Sequence, residues 1–243
     1  CKGGATASAT DSPSTSGGKK KGLTVSLDLI RNRVKNARYR FKRIVKRPAT
    51  RPDPEEVRRA EKRLQRFARQ DRDGKIQLLF ADAAGFALSS VQPYAWQSSD
   101  QPLHIPAQGH HLRLNVFGIF STSTQRMDAL VFEKSMDDRC VIAAIDHFFA
   151  QRSDTRPVVL VIDNAPIHHT NDMKEAQGRW KRLGIRLEFL PPYSPELNPI
   201  EMVWKQMKHY WLRLSAFESF ARLRAEVYRV LNAIGSEYRI SFQ

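Results

Sequence analysis

Apolar positions in this chain follow two rhythms. Ile30, Val34, Ala37, Phe41 and Ile44 recur at helical spacing, and Ser26 stands where a cap belongs, so the spacing predicts a helix from Ser26 to Lys46. Pro48, Pro52 and Pro54 interrupt it. A second helix then opens with Asp53 as cap, Pro54 in the first position and Glu56 in the third, and turns Val57, Ala60, Leu64, Phe67 and Ala68 to one side. From Lys75 onward strands and helices alternate. Ile76 to Ala81 reads as a short strand ending at Asp82. His111 to Phe120 alternates, with Leu112, Leu114 and Val116 on one face, and Met127 to Phe132 is its hairpin partner. A helix follows from Asp137 to Ala150. Val158 to Ile162 is wholly apolar, as a buried central strand is, and stops at Asp163. Met173, Ala176, Trp180 and Leu183 mark another helix that Gly184 stops. Ile185 to Leu190 is a strand, and helices begin near Pro199 and run from Ala216 to Ile234.

That order predicts an α/β fold, a mixed sheet with helices on both faces, preceded by a basic helical arm. In such sheets sites form where parallel strands end, and Asp82 and Asp163 stand at two such ends.

Composition sharpens the division. The net charge is +15. Residues 1–75 hold 22 of the 40 Lys and Arg and 8 of the 25 Asp and Glu, a net of +14 there against +1 in the rest. A basic arm on a near-neutral core reads as a polyanion holder joined to a unit that does chemistry. Arg31, Arg33, Lys35, Arg38, Arg40, Lys42, Arg43, Lys46 and Arg47 form the arm's phosphate-facing set. The expected domains are a disordered low-complexity tail over 1–22, the basic helix and linker over 23–50, and a catalytic domain over 51–243. The chain does not begin with Met, as a fragment or processed chain would not. Its N-terminus lacks a signal-type apolar stretch, and no run is long enough to span a membrane, so a cytoplasmic protein is expected. With only Cys1 and Cys140, a disulfide framework or zinc–cysteine site is not expected.

The candidate chemistry is carboxylate chemistry. Two strand-end aspartates and a carboxylate on a later helix can converge on one point, and phosphodiester cleavage with two divalent ions needs such a point. Hard oxygen donors suit Mg2+ or Mn2+. Each member also has a structural reading. Asp82 and Asp163 could each open a turn. Glu201, three residues after Asn198, could close a capping box around Pro199.

The stretch Val161-Ile-Asp-Asn-Ala-Pro-Ile-His168, with Leu190-Pro-Pro-Tyr-Ser-Pro-Glu-Leu-Asn-Pro-Ile-Glu201-Met-Val-Trp204, closely resembles the DDE transposases of the mariner-like superfamily, in their bacterial insertion-sequence branch. Phe80-Ala-Asp82-Ala-Ala-Gly-Phe86 is similar to that family's first catalytic strand, and the resemblance covers residues 51–235. It implies a ribonuclease-H-like fold and metal-dependent excision of an element. Attack of the freed 3′-hydroxyl on target DNA follows, by a dimer or larger assembly on double-stranded DNA. It assigns Asp82, Asp163 and Glu201 as catalytic metal ligands, to two ions, and puts Asn164 and His168 beside them as supporting or DNA-contacting groups. Tyr193 and Trp204 read as packing residues. The family's helices upstream of Thr24 have no counterpart here, and Ala83 stands where many relatives carry Glu. The rival readings are a truncated or domesticated DNA-binding remnant without turnover, and a ribonuclease of the same fold.

Overall fold

The computed structural model describes residues 19–20, 23–24, 26–39, 52–88 and 112–241. Contacts divide the chain into two compact units, Cys1–Pro48 and Ala49–Gln243. In the first, β1 (Lys19–Lys20) pairs antiparallel with β2 (Leu23–Thr24), so the expected tail of residues 1–22 ends in a short ribbon. Residues 1–18 lie outside the described residues. Helix α1 (Leu27–Asn36) starts where the spacing predicts, with the Ser26 hydroxyl accepting from the Leu29 N–H at 3.2 Å.

The helix does not run on to Lys46. Arg38 takes φ 62, its N–H donates to Lys35 O, and Tyr39 N–H reaches back to Val34 O. This is the paired closure that ends helices on a left-handed residue, usually glycine. Using arginine there costs roughly 1 kcal/mol. The apolar stripe is therefore cut short. Ile30 and Val34 are exposed, Ala37 is the cap, and Phe41 and Ile44 lie outside the described residues with Arg40, Lys42, Arg43, Lys46 and Arg47.

The second unit begins with α2 (Pro54–Arg72), which has the expected Asp53 cap and leading proline. The Asp53 carboxylate accepts from Glu55 N–H at 2.9 Å. Ala60 and Phe67 are buried, and Asp71 at the far end accepts from Leu78 N–H at 3.3 Å, tying the helix to the next strand. Five strands form one sheet: β3 (Gln77–Ala87), β4 (Arg113–Phe120), β5 (Met127–Phe132), β6 (Val158–Ile162) and β7 (Ile185–Phe189). Their order is β5-β4-β3-β6-β7. Strand β3 runs parallel to β6 over Gln77–Phe80, β6 is parallel to β7, and β4 is antiparallel to both β3 and β5.

The first core strand does not end at Asp82. It continues to Ala87 because β4 pairs with it from Phe80 to Ala87, beyond the last rung with β6. Gly85 leaves room for the Arg113 guanidinium, which lies 1.9 Å from where a Cβ would stand. Leu112 precedes β4 and is exposed, so the expected inward face begins at Leu114.

The two-residue period of the strands sorts the core into two layers. Leu78, Phe80, Ala84 and Phe86 of β3 share one apolar cluster with Val203 and Trp204 of α5 (Ile200–Gln206) and Leu223, Val227 and Val230 of α6 (Phe220–Ala233). Leu79 and Ala81 face the other way, toward Val141, Ala144 and Ile145 of α3 (Asp138–Ala150) and Met173, Ala176 and Trp180 of α4 (Asn171–Arg182). All five residues of β6 are buried because helices cover both faces there. Asp146 clamps the outer pair of helices, accepting from Trp180 Nε1 at 2.6 Å and Arg179 Nη2 at 2.9 Å. The last helix starts at Phe220 rather than Ala216. Leu214–Glu218 is a 3-10 turn that buries Ala216 and Phe217, and Ser219 caps α6. This is the ribonuclease-H-like architecture, a mixed five-stranded sheet with helices on both faces. Among the described residues no helix is long and apolar enough to cross a membrane.

Candidate active site

Asp82 belongs to the even-numbered face of β3, the face covered by α5 and α6, and lies two residues past the last parallel rung, Phe80 opposite Val161. Across the antiparallel ladder it sits opposite Gly118. Asp163 is the first residue after β6. Glu201 is in the first turn of α5. Two parallel strands and one helix thus bring three carboxylates to the same end of the sheet.

Asn198 links them, and not by capping. Its side chain is buried and donates from Nδ2 to the Ala81 carbonyl at 3.2 Å. Pro199 takes the cap position, without a side-chain hydrogen bond. The capping-box reading of Glu201 therefore fails, because the side chain that would cap is holding the strand beside Asp82. The run Pro191, Pro192, Pro195 and Pro199 enters α5 through a 3-10 turn, Pro195–Leu197.

The electrostatics of the three differ. Burial first, then the negative charge of Glu201, push the Asp82 carboxyl up to about 7; the Ala83 N–H opposes them, and the charge of Asp163 adds a lesser push. Trp204 Nε1 also favours the ionised form of Asp82, yet it is buried outside hydrogen-bonding geometry with any partner. Burial also raises Glu201, with Lys208 opposing and Asp163 assisting. Burial would raise Asp163 too, but the His168 ring, at 2.9 Å from Nε2 to Oδ1, and the Ala165 N–H hold it below the usual carboxylate range.

His168 is buried, and its Nδ1 has no partner among the described residues. It is packed against Asp163 rather than displayed toward a ligand. Asn164 is exposed and pairs through its Oδ1 with His169 Nε2, whose ring lies 5.0 Å from that of Phe189. The adjacent histidines thus point to different sides.

Lys208 is the residue that sequence reasoning missed. It sits in a π-helical turn, Met207–Trp211, that continues α5. Its ammonium interacts with Glu201 and Asp82, is depressed by burial and by Arg113, and lies 5.6 Å from the centroid of the Phe86 ring. Its spacing of seven from Glu201, two turns along one helix face, was the available signal. In a chain with 40 Lys and Arg it did not stand out.

Tyr193 also departs from expectation. Trp204 is a packing residue, buried at 2% exposure beside Phe86, but Tyr193 is 55% exposed and takes φ 58. A left-handed backbone at an aromatic residue costs about 1 kcal/mol or more, and prolines on both sides hold it there. Tyr193 lines a cleft of about 410 Å³ together with Asp163, Asn164, the proline run and Glu201. Asp82 is not part of that cleft's wall.

The donor set suits a hard divalent cation, since three carboxylates converge and mutual repulsion with burial holds Asp82 far from its ordinary ionisation. Among the described residues no three His, Cys, Asp or Glu side chains are gathered into a ready cage.

A family model described as DDE superfamily endonuclease matches residues 77–224, which carry all three carboxylates. The chain belongs to the DDE superfamily endonucleases. One curated relative, an uncharacterized protein of Sinorhizobium fredii, is 40% identical over 67 residues, 28% of this chain and 45% of that protein. Solved structures with the same fold include the Mos1 mariner paired-end complex with Mn, at TM-score 0.56 and 14% identity, covering 86% of this chain and 64% of that one. The Mos1 strand transfer complex matches at TM-score 0.55 and 14% identity, over 86% and 63%. The isolated Mos1 catalytic domain matches at TM-score 0.50 and 15% identity, over 77% and 86%. This DDE endonuclease chain therefore spans about two thirds of the full transposase chains it resembles and less than half of its curated relative.

Proposed function

We propose that this chain is the catalytic part of a bacterial insertion-element transposase, which cleaves DNA strands and joins the freed 3′-hydroxyl to target DNA. Convergence of Asp82, Asp163 and Glu201 at the ends of β3, β6 and the start of α5 carries the reading. The three carboxylates would hold two ions of Mg2+ or Mn2+. Such ions lower the barrier by activating the attacking oxygen and stabilising the leaving one. Structures of mariner transposase complexes with Mn and with Mg support the choice of metal.

The protein's own groups do the rest. Water attacks the phosphorus, the P–O3′ bond breaks, and the 3′-oxygen leaves and takes a proton. In the joining step that 3′-hydroxyl attacks a second phosphodiester: a new P–O3′ bond forms, the P–O3′ bond of the attacked strand breaks, and the attacking hydroxyl's proton is balanced by the one the departing 3′-oxygen takes up. Asp163, held ionised and in place by His168, is the permanently charged ligand. Asp82 and Glu201, both raised by burial, would hold the cations with it, and a bound cation would favour their ionised forms. Lys208 partly neutralises this centre and is a candidate contact for a backbone phosphate. Arg31, Arg33, Lys35 and Arg38 lie in a fully exposed segment and supply phosphate contacts on double-stranded DNA. A dimer or larger assembly would hold two DNA ends.

Nicking of supercoiled plasmid in Mn2+ tests the reading. Wild type nicks, and Asp82→Ala and Asp163→Ala bind DNA without nicking. Were the chain instead a DNA-binding remnant, wild type and variants would bind equally and none would nick.

A further inference from the structure

We infer that Tyr193 and the prolines around it form a base-stacking subsite for the nucleotide next to the reacting phosphodiester. The inference rests on the nuclease reading above and adds a specificity-determining contact to it. Three observations point there. Tyr193 is large and apolar, yet more than half exposed, and among the described residues it makes no ring contact or hydrogen bond. Its backbone is held at φ 58, where a tyrosine gains nothing locally. It lines the cleft that also contains Asp163 and Glu201, so whatever its ring touches lies beside two of the three carboxylates.

The cleft suits a planar, uncharged group. Pro191, Pro192 and Pro195 give flat, rigid walls without N–H donors. Asn164 at the rim offers an amide whose oxygen is engaged by His169 and whose NH2 has no partner among the described residues, a donor for a base or sugar oxygen. The cleft volume, about 410 Å³, accommodates one nucleoside and not a duplex. Stacking on an aromatic ring tolerates every base, because each presents a π-face. The subsite therefore takes an unpaired or extruded deoxynucleotide, whose phosphate would lie toward Asp163 and Glu201, where divalent cations would hold it. Occupancy requires unpairing of that nucleotide, which a frayed or freshly cut end supplies at least cost.

The test uses the full chain and two short duplexes, one blunt and one with a single iododeoxyuridine as 3′ overhang, in Ca2+. Wild type should prefer the overhang by about 5- to 150-fold, the range expected for stacking one base. Near-ultraviolet irradiation should cross-link the iodinated base to Tyr193. Tyr193→Phe should keep the preference. Tyr193→Leu should abolish it while binding blunt duplex as wild type does. Tyr193→Gly relieves the left-handed backbone, so it should melt no lower than wild type and still lose the preference. That combination separates stacking from a structural role. An undiminished preference in Tyr193→Gly and Tyr193→Leu, or a cross-link mapped elsewhere, overturns the subsite. Both readouts are binding measurements, so they stand apart from nicking. Nicking without a Tyr193-dependent preference sinks the subsite alone. A Tyr193-dependent preference without nicking sinks the nuclease reading and leaves a nucleotide-binding cleft.

Discussion

Asp82 and Glu226 are both acidic groups in the Ala49–Gln243 unit, and they have opposite environments. Glu226 on α6 is buried at 8% exposure. It accepts from Arg213 Nε and Nη2 and from Arg229 Nε and Nη2, each at 2.9 Å, and Arg229 reaches on to Tyr238. Burial opposes its charge, but the two arginines more than offset that and hold its carboxyl down at about 2. Among the described residues Asp82 forms no salt bridge, and the Lys208 ammonium acts on it only through its charge. Burial and two other carboxylates hold it up at about 7. One acid joins the middle of α6 to the segment after α5. The other is left short of positive charge, and the fold tolerates that deficit because a cation or a proton can fill it. On the proposed function, stability and catalysis use the same chemical group in opposite ways.

The sharpest way to break this comparison is to remove each acid in turn. Asp82→Ala or Asp163→Ala should lower nicking by at least roughly 100-fold, the scale of losing one charge-stabilising contact in a transition state, with the folded state intact. Glu226→Ala should leave nicking per folded molecule unchanged. It should destabilise the unit by about 2 kcal/mol, because two arginines lose charge-assisted hydrogen bonds, and denaturant melts would read this. If Glu226→Ala kills nicking in a fully folded sample, the division between the two acids is wrong.

A smaller effect, opposite in sign, is expected from Asp82→Asn. The folded carboxyl titrates near 7 against 3.8 ordinarily. Between those values the folded state binds more protons than the unfolded one, so the contribution of Asp82 to stability falls as pH rises through that window. At pH 8 without metal, Asp82→Asn should therefore raise the melting temperature, and in Mn2+ the same variant should not nick. At pH 4 the two proteins should melt together. Mn2+ should stabilise wild type at pH 8 more than at pH 5, and the variant much less. Glu226 has the reverse dependence. Its carboxyl is depressed from 4.5 to about 2, so its stabilisation is present above the higher value and fades as pH falls through that interval. A wild type whose stability rises steadily with pH from 4 to 8 in the absence of metal would contradict the Asp82 assignment.

Lys208→Gln should raise the KM for DNA by about tenfold, one charge-assisted contact, with a smaller change in kcat. The smallest expected effect concerns the arm. Each phosphate neutralised contributes roughly −0.9 to the slope of log K against log salt. Deletion of residues 1–47 should flatten that slope while leaving the melt of the second unit unchanged. An unaltered slope would move the DNA surface onto the core.

Local chemistry made much of this molecule readable in advance. Strand β6 is five apolar residues and can only be a covered central strand. The Asp53–Pro54 start of α2 and the Gly184 stop after α4 are backbone rules written in single residues. The order of elements then restricts the fold to a covered mixed sheet, and a long motif gathers Asp82, Asp163 and Glu201. Readings failed where long-range partners decide. Strand β3 outlasts Asp82 because β4, some thirty residues later, pairs with it. Asn198 has the composition of a helix cap and holds Ala81 instead. Tyr193 looks like packing and stands in a cleft. Lys208 is one lysine among many until a π-helical turn sets it beside Glu201 and Asp82. Propensity and spacing act over a few residues, and they determined the elements and their order. Hydrogen bonds between distant segments and the burial of charge depend on what the completed core brings together. Only the tertiary structure decided which carboxylate is satisfied and which is left poised.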